Sequence, residues 1–155
     1  LAENSLLFQR TGRTFALLLI DADYFKRVND TYGHAIGDDV LCQLAALIEN
    51  TTRATDFVAR YGGEEFVVLL PKTPAQGAYA VAANIYKAIE RQAIPHAASL
   101  VSQHVTISLG FTVYTEGLRV TQENLIHAAD QALYRAKQLG RNQIYYQPLQ
   151  VAEIA

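Results

Sequence analysis

The sequence predicts an α+β fold in which a central, mostly antiparallel sheet is flanked by helices. Three observations carry this reading. The apolar run Phe15–Ile20 has the length and composition of a buried strand, two further strand-like runs flank Gly62-Gly63, and the stretches between show apolar residues at helical spacing. Hairpin strands mixed with helical crossovers produce a mixed-layer sheet with helices on one or both faces. With 155 residues, 50% of them apolar, the chain is long enough to bury one core, and no repeat or linker divides it. Residues 1–155 are therefore expected to form a single domain.

The first strand ends in Asp21, so Asp21 and Asp23 arrive at an edge of the sheet. A short helix is expected from about Tyr24 to Asp30, and a longer one after the Gly33 break, where Val40, Leu41, Leu44, Ala45 and Ile48 recur at helical spacing. Phe57–Tyr61 and Phe66–Leu70 read as a hairpin with a two-residue Gly62-Gly63 turn, since glycine tolerates the positive φ such a turn demands. Pro74 opens a third helix carrying Ala78, Val81, Ala82 and Ile85. Val105–Leu109 follows as a strand that continues past Gly110. A last helix runs from Thr121 through Leu125, Ala129 and Leu133 to the stop at Gly140, and Gln143–Tyr146 closes the sheet. The order is βααββαβαβ.

Charge and composition narrow the function. A formal net charge of -2 leaves no broad basic face for a nucleic-acid backbone, so a phosphate-bearing ligand must be met by local groups. The single cysteine, Cys42, lies in an apolar run and is expected to be a buried thiol, which suits a reducing, cytoplasmic setting. No apolar stretch approaches the roughly twenty residues needed to cross a bilayer, so no direct membrane segment is expected. The absence of methionine points to a piece excised from a longer protein, which could itself be membrane-anchored.

If the first strand lies beside the hairpin, Asp21 and Glu64 or Glu65 converge on one edge. Three carboxylates there suit a hard cation such as magnesium, which takes one or two of them and fills its shell with water and substrate phosphates. An isolated Glu-Glu pair beside a turn is more commonly just solvated, and the surrounding motifs decide against that.

Those motifs are Leu19-Ile20-Asp21-Ala22-Asp23-Tyr24-Phe25-Lys26 continuing to Gly33-His34, then Gly37-Asp38, then Gly62-Gly63-Glu64-Glu65-Phe66. Thr106–Gly110, Ala132–Lys137 and Gly140-Arg141-Asn142 follow in order. Together they resemble the GGDEF family of diguanylate cyclases, with the loop in its GGEEF form, from Phe15 to Tyr146. The resemblance implies a fold like the nucleotidyl cyclases and the polymerase palm. It also implies condensation of two GTP molecules into cyclic di-GMP, by a homodimer whose subunits each hold one GTP, under an upstream sensory or regulatory domain.

The same resemblance assigns residues. Asp21, the carbonyl of Ala22, Glu64 and Glu65 would hold two magnesium or manganese ions per half-site, with one of the glutamates as the base. Phe25, Lys26, Lys137 and Arg141 would meet the phosphates; Asn29 and Asp38 would read guanine; Gly62 and Gly63 would admit the nucleotide close to the backbone; and His34 would contact it or order its loop. Arg53 and Asp56 match the family's RxxD product-inhibition site, although Asn84 stands where a second product-binding arginine is often found. The alternative is a catalytically inactive receptor that binds cyclic di-GMP at Arg53 and Asp56, and intact Asp21, Glu64, Glu65, Lys26 and Lys137 argue against it.

Overall fold

The computed structural model describes residues 13–149, and its elements follow the expected order. Strand β1 (Phe15–Ala22) leads into helices α1 (Phe25–Tyr32) and α2 (His34–Thr51), then strands β2 (Phe57–Tyr61) and β3 (Glu65–Pro71). Helix α3 (Ala75–Gln92), strand β4 (Ile107–Tyr114), helix α4 (Gln122–Gln138) and strand β5 (Gln143–Tyr146) complete it. The sheet order is β2-β3-β1-β4-β5, antiparallel except for the β4–β5 pair.

Strand periodicity sorts the core into two layers. Ala16, Leu18 and Ile20 of β1, with Phe66, Val68 and Leu70 of β3 and Leu109 and Phe111 of β4, face α1, α2 and α3, where Val28, Leu44, Ile48, Ala82 and Ile85 meet them. Phe15 and Leu17 face the other way, with Tyr114, onto Leu125 and Ala129 of α4. The central strands are thus covered on both sides, which is why Phe15–Ile20 of β1 reads as a continuous apolar run and why β4 is buried along its whole length, its small residues Ser108, Gly110 and Thr112 included.

Three local expectations are corrected. Cys42 is exposed, because Leu41, Leu44 and Ile48 form the buried stripe of α2 and position 42 falls off it. The hairpin loop has three residues rather than two: Tyr61 pairs with Glu65, and Glu64 is drawn into the turn by donating its N–H to the Gly62 carbonyl at 3.2 Å. Strand β4 begins at Ile107, two residues late, because the Val105 N–H is engaged by the Ile94 carbonyl at 2.7 Å.

Gly110 sets how closely α4 lies on β4. A Cβ there would fall 2.6 Å from the Leu133 Cα and closer still to the backbone of Ala132 and Leu133, and backbone atoms cannot rotate away. Gly110→Ala is therefore expected to cost more than about 3 kcal/mol, beyond the usual range for overpacking, as a shift in the urea unfolding midpoint at constant slope.

Candidate active site

The register places the acids. Asp21 is the penultimate residue of β1 and pairs with Glu65 of β3 on one side and Ser108 of β4 on the other. Residues directly opposite in an antiparallel pair point to the same face, so Asp21 and Glu65 are forced together. Glu64 joins them through the loop, its carbonyl accepting the Ala22 N–H at 3.5 Å.

Burial pushes the Asp21 carboxyl above its ordinary range; its bond to Lys137 pulls the other way, and the charge on Asp23 adds to the rise. Burial followed by the charge on Asp21 raises Glu64 and Glu65 as well. Lys137, in the last turn of α4, ion-pairs with Asp21 Oδ2, while Asp21 Oδ1 is buried without a hydrogen-bond partner. An unpartnered carboxylate oxygen among acids that resist ionisation fits a divalent cation. Among the described residues no three acidic, histidine or cysteine side chains form a ready-made cage, so the rest of such a shell must come from backbone, water or phosphate oxygens.

The cations come from the end of α4. The helix closes in a Schellman motif, with the Gly140 N–H on the Lys137 carbonyl at 3.3 Å and the Arg141 N–H on the Ala136 carbonyl at 3.0 Å. The motif turns Arg141 back over the Tyr24 ring, its guanidinium carbon 4.7 Å from the ring centre. From there its charge partly offsets the rise at Asp21 and Glu64. Tyr24 holds a left-handed φ of 53° and ends β1 abruptly enough for α1 to start at Phe25. The first N–H groups of α1, at Phe25 and Lys26, have no partner within the helix. Phe25 is buried; Lys26 is exposed.

Asn29 lies in α1 and Asp38 in the first turns of α2, on either side of the Gly33 break. Gly37, buried in the first turn of α2, lies so close to the Asn29 amide that any Cβ would collide with Asn29 Oδ1. His34 and Asp38 are exposed on the same turn. Gly62 and Gly63 adopt φ of 63° and 91° in the loop beside the acids.

Arg53 and Asp56 are not part of this cluster. They sit where β2 begins and β3 ends, the opposite end of the hairpin from Glu64, roughly 20 Å away by strand rise. Arg53 Nη2 lies 3.0 Å from Asp56 Oδ1, and the same nitrogen donates to Thr73 Oγ1 at 2.9 Å and the Pro71 carbonyl at 3.3 Å. The arginine is thereby held in place, with 55% of its side chain exposed.

Comparison with known proteins decides the family. The sequence pattern described as "Diguanylate cyclase, GGDEF domain" matches residues 1–143. The chain belongs to the GGDEF family. This GGDEF domain is 46% identical over 131 residues to diguanylate cyclase A of Treponema denticola, covering 84% of this chain and 34% of that protein. It is 44% identical over 133 residues to diguanylate cyclase DgcM of Escherichia coli, covering 86% and 31%. The chain thus spans about a third of the length of these relatives. The GGDEF domain of DgcB from Caulobacter crescentus, solved with c-di-GMP, superposes with a TM-score of 0.79 at 29% identity, covering 93% of this chain and 84% of that one. The active GGEEF domain of a Vibrio cholerae diguanylate cyclase gives 0.76 at 31%, covering 94% and 90%. The palm-like sheet expected from the sequence is the fold of these neighbours.

Asp23, Tyr24 and Asn142 lie within the motifs but were given no role, and Tyr86 and His96, which hold Asn142 and the Tyr24 carbonyl, were not singled out. The usable signal was Thr106 and Ser108, two hydroxyls at alternate positions where an apolar strand begins, which ask for a shared acceptor. Asp23 is that acceptor.

The raised carboxyls have a consequence for stability. The folded state holds more protons than the unfolded chain between the ordinary carboxylate range, about pH 4, and the raised values. This stability is fully present below that range and is lost as pH rises through the folded values. The calorimetric midpoint of the metal-free protein is therefore expected to fall over that interval, and Glu65→Gln to flatten the fall and raise the midpoint at neutral pH. An unchanged profile in Glu65→Gln would show that the acids are not coupled.

Proposed function

We propose that this domain condenses two GTP molecules into cyclic di-GMP, releasing two pyrophosphates, as an antiparallel homodimer in which each subunit holds one nucleotide. The observation that carries the reading is the convergence of Asp21, Glu64 and Glu65 with Lys137 and Arg141 at one end of β1, with Asp21 Oδ1 left unpartnered. Relatives named diguanylate cyclases at 44–46% identity support it.

Asp21, the Ala22 carbonyl, Glu64 and Glu65 would hold the divalent cations, magnesium or manganese, two per half-site. When bound, such ions lower the pKa of the attacking 3′-hydroxyl and shield the oxygens of the phosphate under attack. Glu64 or Glu65, its proton affinity raised by burial and by Asp21, takes the hydroxyl proton. Lys137, Arg141, Lys26 and the amide of Phe25 offset the triphosphate charge at short range. Asp38 accepts from guanine N1–H and N2–H₂ together while Asn29 completes the edge; adenine offers neither donor pair, so ATP would leave the carboxylate unpaired. The exposed loop of Gly62 and Gly63 lets the nucleotide approach, with His34 beside the base.

Product binding at Arg53 and Asp56 would supply feedback. The arginine is presented with its stem fixed, which lowers the entropy lost on meeting a phosphate. Asn84 in α3 leaves that site one guanidinium short, so the product should be held more weakly or with help from the second subunit. We read the chain as the single catalytic domain of a longer cytoplasmic or membrane-anchored signalling protein, supported by the greater length of its relatives. No helix among the described residues is long and apolar enough to cross a membrane.

Purified protein with GTP and magnesium should yield cyclic di-GMP, resolved by chromatography, with a rate that rises faster than linearly with protein concentration. Glu64→Ala or Glu65→Ala should lower it by a factor of about a hundred or more. GTP bound but never converted, even at high protein concentration, would replace the enzyme with a receptor. For feedback, Arg53→Ala should weaken calorimetric cyclic di-GMP affinity about tenfold or more while GTP affinity stays put. Equal product affinity in wild type and variant would remove Arg53 from the inhibitory site.

A further inference from the structure

We propose that Asp23 is a positioning residue that holds Arg141 over the acidic site by fixing the backbone of Asn142. The inference rests on the nucleotide reading above, in which Arg141 meets the triphosphate.

Asp23 is 1% exposed and lies two residues beyond Asp21, and both of its carboxylate oxygens are already engaged. Its Oδ1 accepts from Ser108 Oγ at 2.6 Å, and its Oδ2 from Thr106 Oγ1 at 2.7 Å and from the Asn142 N–H at 2.9 Å. Its own N–H donates to the Thr106 carbonyl at 2.9 Å. A carboxylate so occupied is committed to the fold. It ties three segments together: the end of β1, the start of β4 and the loop between α4 and β5.

That loop needs a tie. Arg141 and Asn142 are consecutive non-glycine residues at φ of 61° and 50°, a left-handed pair that persists only where neighbours over-determine it. Asp23 holds the Asn142 amide, and the Tyr86 hydroxyl donates to Asn142 Oδ1 at 2.8 Å. Tyr24, on which Arg141 rests, is itself anchored: its carbonyl accepts from His96 Nε2–H at 3.1 Å, with His96 fully buried. The Asp23 bond ties the loop's backbone to the end of the strand that carries Asp21. Asparagine at position 23 has one acceptor oxygen where three donors converge, and it turns an N–H₂ toward at least one of them.

The test is a double-mutant cycle on calorimetric GTP affinity in magnesium, together with amide exchange at Asn142. Asp23→Asn and Arg141→Ala should each weaken GTP roughly tenfold, and the double variant should be little worse than Arg141→Ala, because the first change acts through the second residue. Asn142 exchange should be slow in the wild type and fast in Asp23→Asn. Additive losses, about a hundredfold in the double variant, would overturn the inference alone. Wild-type protein that binds no GTP would sink the nucleotide reading and take the inference with it. Should Asp23→Asn not fold, the wild type still decides: an Asn142 amide that exchanges as fast as the exposed loop amides removes the tie.

Discussion

Asp21 is held opposite Glu65 by the β1–β3 register, and no side-chain rotation can separate the two strand positions. Two like charges at that distance, partly removed from water, destabilise the sheet unless a cation sits with them. Lys137 supplies such a cation. The end of α4 must therefore reach the end of β1, which in turn requires the close approach of α4 to β4 that Gly110 permits. The position of the last helix, the Schellman turn that follows it and the left-handed loop at Arg141 all descend from one pair of facing acids.

The charge balance of the whole chain agrees with this arrangement. A domain at -2 has no overall field that attracts anions, so any positive potential at the acidic site comes from a few cations placed at short range. Lys137 in the last turn of α4 and Arg141 just beyond it both act on the acids, so two basic groups from one helix end serve one face. The hairpin extends the economy: its turn carries Glu64 and its open end carries Arg53, so one rigid ribbon presents two charged sites facing different surroundings.

Much of this was legible in the residues. Among the described residues nine elements appear in the expected order, because strand-forming stretches are short and bounded by turn residues while the long helices each show an apolar stripe. Asp21, Glu64, Glu65 and Lys137 were identified through motif resemblance, and the sheet does bring them together. What the sequence hid is whatever depends on long-range partners. Cys42 looked buried because its neighbours are apolar, but in a helix the stripe and not the run decides. The Gly62-Gly63 turn looked two residues long because the bond that draws in Glu64 cannot be read from glycine alone. Asp23 looked like a companion of Asp21, since its three donors lie more than eighty residues away in the chain.

The place of β1 in the sheet has a consequence for how the chain reaches this state. It is the first strand in the described sequence and the middle strand in space, with neighbours that follow far downstream, β4 about ninety residues later. At ribosomal speeds of roughly 5–20 residues per second, the apolar stretch Phe15–Ile20 waits several seconds with neither edge fully paired. Local helices can form at once, but this sheet cannot close until Ile107–Tyr114 has emerged. Newly made chains are most exposed to misassembly in that interval, and a holdase that covers β1 would act at the step where the fold is slowest to protect itself.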